Sequence, residues 1–195
     1  MAPVTLLILA ISIVLMNKSN YLKGYRVTKL PSIAFLVLAL LLPLALLNFR
    51  IANWWLKSSW LLLLAVGTLS ILIDWEHHLL PDRLLLPTFA VSIILIAIGG
   101  HGRASATGAG AWFSAFALLA MINPSGLGWG DVKFAGLLGA DIGAIDLKMV
   151  PTAVFFALIT GGCYALYRIE KGDRGTQIPF GPFMLIGTLT SLLTG

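Results

Sequence analysis

The chain has 195 residues, of which 58% are hydrophobic and only 11% are charged, and its mean hydropathy is +0.94. This composition lies outside the range of soluble globular domains and indicates one integral membrane domain over residues 1–195. The net charge of +5 comes from Lys and Arg scattered between apolar runs, which argues against nucleic-acid binding and favours basic loops beside a membrane.

The apolar runs predict an all-α, polytopic helix bundle with about eight transmembrane segments, because a spanning helix takes about 20 residues. The first run lacks a preceding basic segment and a convincing cleavage site, so we expect a membrane helix and not a removable signal peptide. Pro43 and Pro87 predict kinks within their segments. The predicted segments are 3–17, 32–49, 58–74, 83–100, 106–122, 131–147, 149–167 and 181–194.

Lys and Arg fall unequally on the two sides of these segments. With the N-terminus outside, nine lie in inside loops and four in outside loops, and the positive-inside rule favours this orientation. One segment then ends at Asp74 and another begins at Asp131 on the same, cytoplasmic face. Asp141 and Asp146 fall on the opposite side.

Asp74 and Asp131 need an explanation because a carboxylate at bilayer depth costs roughly 2.5 to 3.5 kcal/mol. Two carboxyl groups a few ångströms apart cannot both ionise in a low-dielectric site, so one can act as a base while the other acts as an acid. Such a pair is suited to peptide-bond hydrolysis. Gly128 and Gly130 would allow unusual backbone angles and a close substrate approach, and Lys133 could tune the pair or hold a carbonyl.

Each of these residues also has a structural interpretation. Asp131 follows a glycine turn and precedes an apolar run, which is equally typical of a helix N-cap. Asp82 follows Pro81 and is most simply a turn or N-cap residue. Asp74 has no capping explanation, because a carboxylate at a helix C-terminus faces the negative end of the helix dipole.

No metal or cofactor site is expected. Glu76, His77 and His78 are predicted to be solvated loop residues, since they do not form the His-Glu-x-x-His pattern of zinc proteases. The single cysteine, Cys163, lies in an apolar run and is interpreted as a packing residue.

Three ordered motifs resemble those of the type IV prepilin peptidases, which are polytopic aspartic proteases of the Gly-x-Gly-Asp type. Asp74 precedes a Leu-Pro-Asp element at 80–82, residues 128–133 read Gly-Trp-Gly-Asp-Val-Lys, and residues 178–182 read Ile-Pro-Phe-Gly-Pro. The resemblance covers roughly residues 60–190. It implies that Asp74 and Asp131 are the catalytic pair, with Gly128, Gly130, Lys133, Pro81 and Asp82 as supporting residues.

The resemblance further implies a location in the bacterial inner membrane and prepilin or pseudopilin substrates, cut at the cytoplasmic face in support of pilus assembly or type II secretion. Many family members carry a cytoplasmic insertion with two Cys-x-x-Cys pairs and also methylate the new N-terminus. The corresponding loop here, Asn17 to Pro31, is short and free of cysteine. This departure favours a peptidase without methyltransferase activity.

Two functions from other classes remain open at this point. Aspartates at a membrane boundary could relay protons or bind cations in a transporter, although no repeated halves are evident. The chain could instead be an inactive structural subunit of a pilus or secretion assembly.

Overall fold

The computed structural model describes residues 51–77, 80–124, 126–172 and 178–195, with the backbone alone at 72 and 75–77. Within these ranges all regular structure is helical. The helices are α1 (Trp54–His77), α2 (Asp82–Ile98), α3 (Gly102–Ile122), α4 (Trp129–Ile145), α5 (Met149–Glu170) and α6 (Gly181–Thr194).

These six helices match the last six predicted segments to within about four residues at each end. The first two predicted segments, 3–17 and 32–49, lie outside the described residues, as does Pro43. Helix α1 begins earlier than predicted, at Trp54, where the side-chain oxygen of Asn53 accepts a hydrogen bond from the Trp55 N–H at 2.9 Å. This hydrogen bond satisfies one of the free N–H groups at the start of the helix.

The far end of α1 also differs from the prediction. The helix continues to His77, so the prediction of a loop at Glu76 and His77 was wrong for the backbone. His78 lies outside the described residues. Asp74 is therefore held inside the last turn of a helix and does not sit at its end.

Among the described residues, three helices are long and apolar enough to cross a membrane. They are α1 over Trp54–Ile71, α3 and α5, while α6 is apolar but shorter. Large apolar side chains such as Ile94, Met121 and Phe155 are exposed on the outside of the bundle. Such a surface is suited to lipid and not to water, so the chain is a membrane protein.

Helix α4 forms the centre of the bundle. Its side chains from Val132 to Ala144 are buried with the exception of Lys133, and it packs against the five other described helices. Small residues allow α3 to approach α4 very closely. A Cβ atom added at Gly108 of α3 would lie only 2.8 Å from the Cα of Gly143 of α4. The helix that carries Asp131 is thus surrounded by protein.

The tryptophans near the start of α1 differ in their exposure. Trp55, in the first turn, is 41% exposed. Trp60 is wholly buried in the core, because it faces the inside of the bundle and not the lipid. Trp60 therefore contributes to the core and does not present its ring to the lipid.

Candidate functional site

Asp74 lies on the last turn of α1 and is almost fully buried, with 4% of its surface exposed. Its Oδ2 atom accepts a hydrogen bond from the backbone N–H of Gly181 at 3.3 Å. Gly181 is the first residue of α6, where backbone N–H groups are free and the helix dipole favours negative charge. The start of α6 therefore compensates for the unfavourable position of a carboxylate at the end of α1.

Asp131 is the third residue of α4 and is 8% exposed. Its Oδ2 atom accepts the backbone N–H of Gly128 at 3.1 Å, as in one half of a capping box. The N-cap itself is Gly128, so the interpretation of Asp131 as the N-cap was wrong. The second oxygen, Oδ1, is buried without a hydrogen-bond partner among the described residues, so its acceptor positions are unused.

The two aspartates lie at the same end of the bundle. The Asp74 carboxyl is close enough to act electrostatically on that of Asp131. Leu80, which follows Asp74 in the chain, lies beside Gly130 of α4 and Gly181 of α6, because Cβ atoms added at these glycines would lie 3.0 Å from the Leu80 Cβ and 3.8 Å from its Cδ2. The three sequence motifs thus converge around Leu80.

Gly128 and Gly130 contribute differently from the prediction. Gly128 has φ −79° and ψ 154°, which any residue adopts, and Gly130 lies within α4. Unusual backbone angles were therefore a wrong explanation for these glycines. Gly130 instead allows close contact with Leu80, and Gly128 supplies the N–H that holds Asp131.

Lys133 forms an ion pair with Asp82 and, among the described residues, none with the two buried aspartates. Its Nζ atom lies 2.8 and 2.7 Å from the two carboxylate oxygens of Asp82, in an ion pair that is partly exposed. Asp82 is the first residue of α2, and the N-cap is Pro81, so the N-cap interpretation of Asp82 was wrong. The ion pair joins the start of α2 to the start of α4.

Pro81 is buried and fixes the start of α2. Its carbonyl oxygen accepts the N–H groups of Leu84 at 2.9 Å and Leu85 at 3.1 Å. Proline suits this position at the start of a helix because it has no backbone N–H group, and such a group would lack a partner within the helix there. These two hydrogen bonds fix the first turn of α2.

Gly181 is the residue that sequence reasoning missed. The motif at 178–182 was noted as a third match, but its contact with Asp74 was not predicted. A Cβ atom at Gly181 would lie 3.1 Å from the Asp74 Oδ2, so the helix start fits closely against the carboxyl group. The signal in the sequence was the glycine directly before a proline at the predicted start of the last helix.

Within the described ranges, no group of three or more His, Cys, Asp or Glu side chains could hold a metal ion. The arrangement at Asp74 and Asp131 offers two buried carboxyl groups, two backbone N–H groups that hold one oxygen each, and the Asp131 Oδ1 atom, which has no hydrogen-bond partner among the described residues. Such a pair can bind a water molecule and exchange protons with it.

Residues 60–166 match the family model described as the type IV leader peptidase family. The chain is similar to proteins named prepilin leader peptidase/N-methyltransferase from several bacteria. The protein of Stutzerimonas stutzeri is 31% identical over 73% of this chain and 53% of its own length. That of Pseudomonas aeruginosa is 32% identical over 79% and 57%. That of Bacillus subtilis is 30% identical over 88% and 69%.

The chain thus spans little more than half the length of the first two of these relatives. No solved structure matches it.

Proposed function

Because this chain belongs to the type IV leader peptidase family, we propose that it is an aspartic endopeptidase that removes the basic leader of a prepilin or pseudopilin. The observation that carries the proposal is the pair of buried carboxyl groups, Asp74 and Asp131, at one end of the helix bundle. The names of the relatives support a prepilin as the substrate.

In the proposed reaction, the ionised carboxyl group of the pair takes a proton from a water molecule while the water oxygen attacks the scissile carbonyl carbon. The protonated carboxyl group donates its proton to the carbonyl oxygen. When the resulting tetrahedral intermediate collapses, the C–N bond breaks and the leaving nitrogen takes the proton that the first carboxyl group acquired from water. A hydroxyl group of the intermediate returns its proton to the second carboxylate, which restores the pair. The products are a leader with a new carboxyl end and a mature protein with a new amino end.

The hydrogen bonds from Gly128 and Gly181 hold the two carboxyl groups in position. Each fixes one oxygen of its carboxyl group, and the Oδ1 atom of Asp131 keeps an unused acceptor position for water or a donor of the substrate. Holding both groups by backbone atoms limits their rotation, so little reorganisation is needed when the substrate arrives.

We place the pair at the cytoplasmic face of the bacterial inner membrane. The support is the distribution of Lys and Arg, nine against four in favour of that side. A substrate with a basic leader before an apolar helix would then leave its leader in the cytoplasm, with the scissile bond at the membrane boundary. This location would bring the bond to the depth of Asp74 and Asp131.

The test is cleavage of a model prepilin by the purified full chain in lipid, comparing wild type with Asp74→Asn and Asp131→Asn. Asp146→Asn is the matched control, because Asp146 is exposed and its Oδ1 only accepts the backbone N–H of Lys148. We expect cleavage to fall by at least about a thousand-fold in each of the first two variants, as with other lost catalytic groups. The control should cut normally.

Other outcomes have defined meanings. Cleavage by all variants would show that the active site lies elsewhere. No cleavage by wild type, together with proton uptake that depends on Asp74 or Asp131, would favour the transporter alternative. Assembly of pili that continues normally in both Asp→Asn variants would favour a structural subunit. A separate assay adds S-adenosylmethionine and measures the mass of the mature product by mass spectrometry. We expect no increase in mass, because no methyl group should be transferred.

A further inference from the structure

A second buried aspartate, Asp141, lies on α4 and has no role in the proposed reaction. It is ten residues beyond Asp131, or about 15 Å along the helix, and none of its surface is exposed. Its Oδ1 atom accepts a hydrogen bond from the hydroxyl group of Ser59 on α1. A carboxyl group at this depth needs a partner for each of its oxygens.

The remaining oxygen of Asp141 and a neighbouring hydroxyl group both lack partners. Asp141 Oδ2 and Ser92 Oγ are buried without hydrogen bonds among the described residues. Ser92, on α2, lies beside the same carboxyl group and is itself fully buried, although its geometry falls short of a strict hydrogen bond. Two unsatisfied polar groups are therefore adjacent in the core.

We propose that Asp141 is a neutral carboxylic acid that joins three helices through hydrogen bonds. Its carbonyl oxygen Oδ1 accepts from Ser59, and its Oδ2–H group donates to Ser92 Oγ. Asp141 Oδ2 and Ser92 Oγ both lack a partner among the described residues. A proton on Oδ2 makes this oxygen a donor and Ser92 Oγ its acceptor, so one hydrogen bond gives each atom a partner. We call Ser59, Ser92 and Asp141 the polar clasp.

The neutral form also fits the surroundings better than a carboxylate with a bound cation. Among the described residues, the polar groups placed at Asp141 are two hydroxyl groups, which are too few for the shell of about six or more oxygen ligands that a hard cation takes. A charge without compensation in a buried, apolar core is costly, whereas a neutral acid can donate and accept like an amide.

The polar clasp positions the helices that carry the proposed catalytic pair. Helix α1 runs from Ser59 towards Asp74, and α4 runs in the opposite sense from Asp131 towards Asp141. The same two helices are therefore joined at the clasp and meet again at the Asp74–Asp131 end. Asp141 is in this sense a positioning residue, whose contribution to stability does not depend on the proposed peptidase activity.

The first test is infrared spectroscopy of the full chain in lipid at neutral pH, as a difference between wild type and Asp141→Asn. We expect the wild type to show the carbonyl stretch of one additional protonated carboxylic acid. Wild-type carboxylate bands in place of that stretch would overturn the proposal, because they would show that Asp141 is ionised.

The second test is thermal unfolding. Asp141→Asn keeps an acceptor and a donor at the two positions, so its midpoint should stay within about 2 °C of wild type. Asp141→Leu has a similar size but cannot form hydrogen bonds, and we expect its midpoint to fall by at least about 4 °C. Equal midpoints for wild type and Asp141→Leu would show that the clasp does not hold the helices.

Two further measurements cover remaining outcomes. If Asp141→Leu does not fold, Ser92→Ala removes only the proposed acceptor and should still lower the midpoint. Stabilisation of the wild type by sodium, but not of Asp141→Asn, would show a cation site and contradict the neutral acid. If prepilin cleavage fails in every protein while the spectra and midpoints behave as expected, the proposed function is wrong and the clasp stands.

Discussion

The ammonium group of Lys133 lies 2.8 and 2.7 Å from the two carboxylate oxygens of Asp82, across 51 residues of sequence. Asp82 begins α2 and Lys133 lies in the first turns of α4, so the ion pair holds two helix starts together. One of these helices begins eight residues after Asp74, and the other carries Asp131. The pair thus links the two segments of the candidate site without contacting either buried aspartate.

Charge reversal tests this link. Lys133→Asp or Asp82→Lys alone should lower leader cleavage by several-fold, because two like charges then face each other between the helix starts. The double variant Lys133→Asp/Asp82→Lys should recover a large part of the activity. The ion pair is partly exposed and so contributes at most about 1 kcal/mol to stability, which leaves the unfolding midpoint nearly unchanged.

The comparison of the single and double variants separates two roles of Lys133. If the double variant is as inactive as Lys133→Asp, then Lys133 acts on the substrate and not through Asp82. Raising the salt concentration should weaken the effect of each single reversal, since exposed charges are screened.

Gly181→Ala should impair cleavage through Asp74. The added Cβ would lie 3.1 Å from the Asp74 Oδ2, so the carboxyl group must move away from its position. A displacement of this kind can lower the rate by roughly ten- to a hundred-fold when the group takes part in the reaction. The measurement is the rate of leader cleavage at saturating substrate.

Gly162→Ala is the matched control for this change, because a Cβ atom there meets nothing within 4 Å. Gly162 lies inside α5, where alanine is the better helix former. Its activity should equal that of wild type, and its stability should be equal or slightly higher. Full activity in Gly181→Ala would argue against a role for Asp74 in the reaction.

Gly108→Ala should destabilise the bundle. A methyl group at Gly108 would lie 2.8 Å from the Cα of Gly143 and would force α3 and α4 apart. Such overpacking typically costs about 1 to 3 kcal/mol, which lowers the midpoint of thermal unfolding by several degrees.

Gly110→Ala, two residues further along α3, meets nothing within 4 Å and serves as the control. We expect its midpoint to stay the same or rise slightly. If both alanine variants melt at the wild-type temperature, the close contact between α3 and α4 does not contribute to stability.

The pH dependence of cleavage should show a maximum. The proposed reaction needs one ionised and one protonated carboxyl group, so the rate falls in acid, where both are protonated, and in base, where both are ionised. The two apparent ionisations belong to Asp74 and Asp131 as a pair. A rate that rises to a plateau with a single ionisation would contradict the shared role.

The sequence predicts much of this architecture because its apolar runs are long and separated by turn residues. Six of the eight predicted segments correspond to described helices, and their order alone places Asp74 and Asp131 at the same end of the bundle. Successive helices that cross a membrane alternate in direction. The number of segments between two residues therefore determines whether they lie at the same end of the bundle. The errors at Glu76 and His77 are of the kind expected at helix ends, where tertiary contacts extend or shorten a turn.

Only the tertiary structure determines which side chains meet. The partners of Asp82, Asp74 and Asp141 are Lys133, the N–H of Gly181, and Ser59, and none of these contacts follows from spacing along the chain. They depend on how far each helix rotates about its axis and where it crosses its neighbours. Packing of buried side chains sets those angles, and an apolar sequence that is hydrophobic on all sides does not specify them.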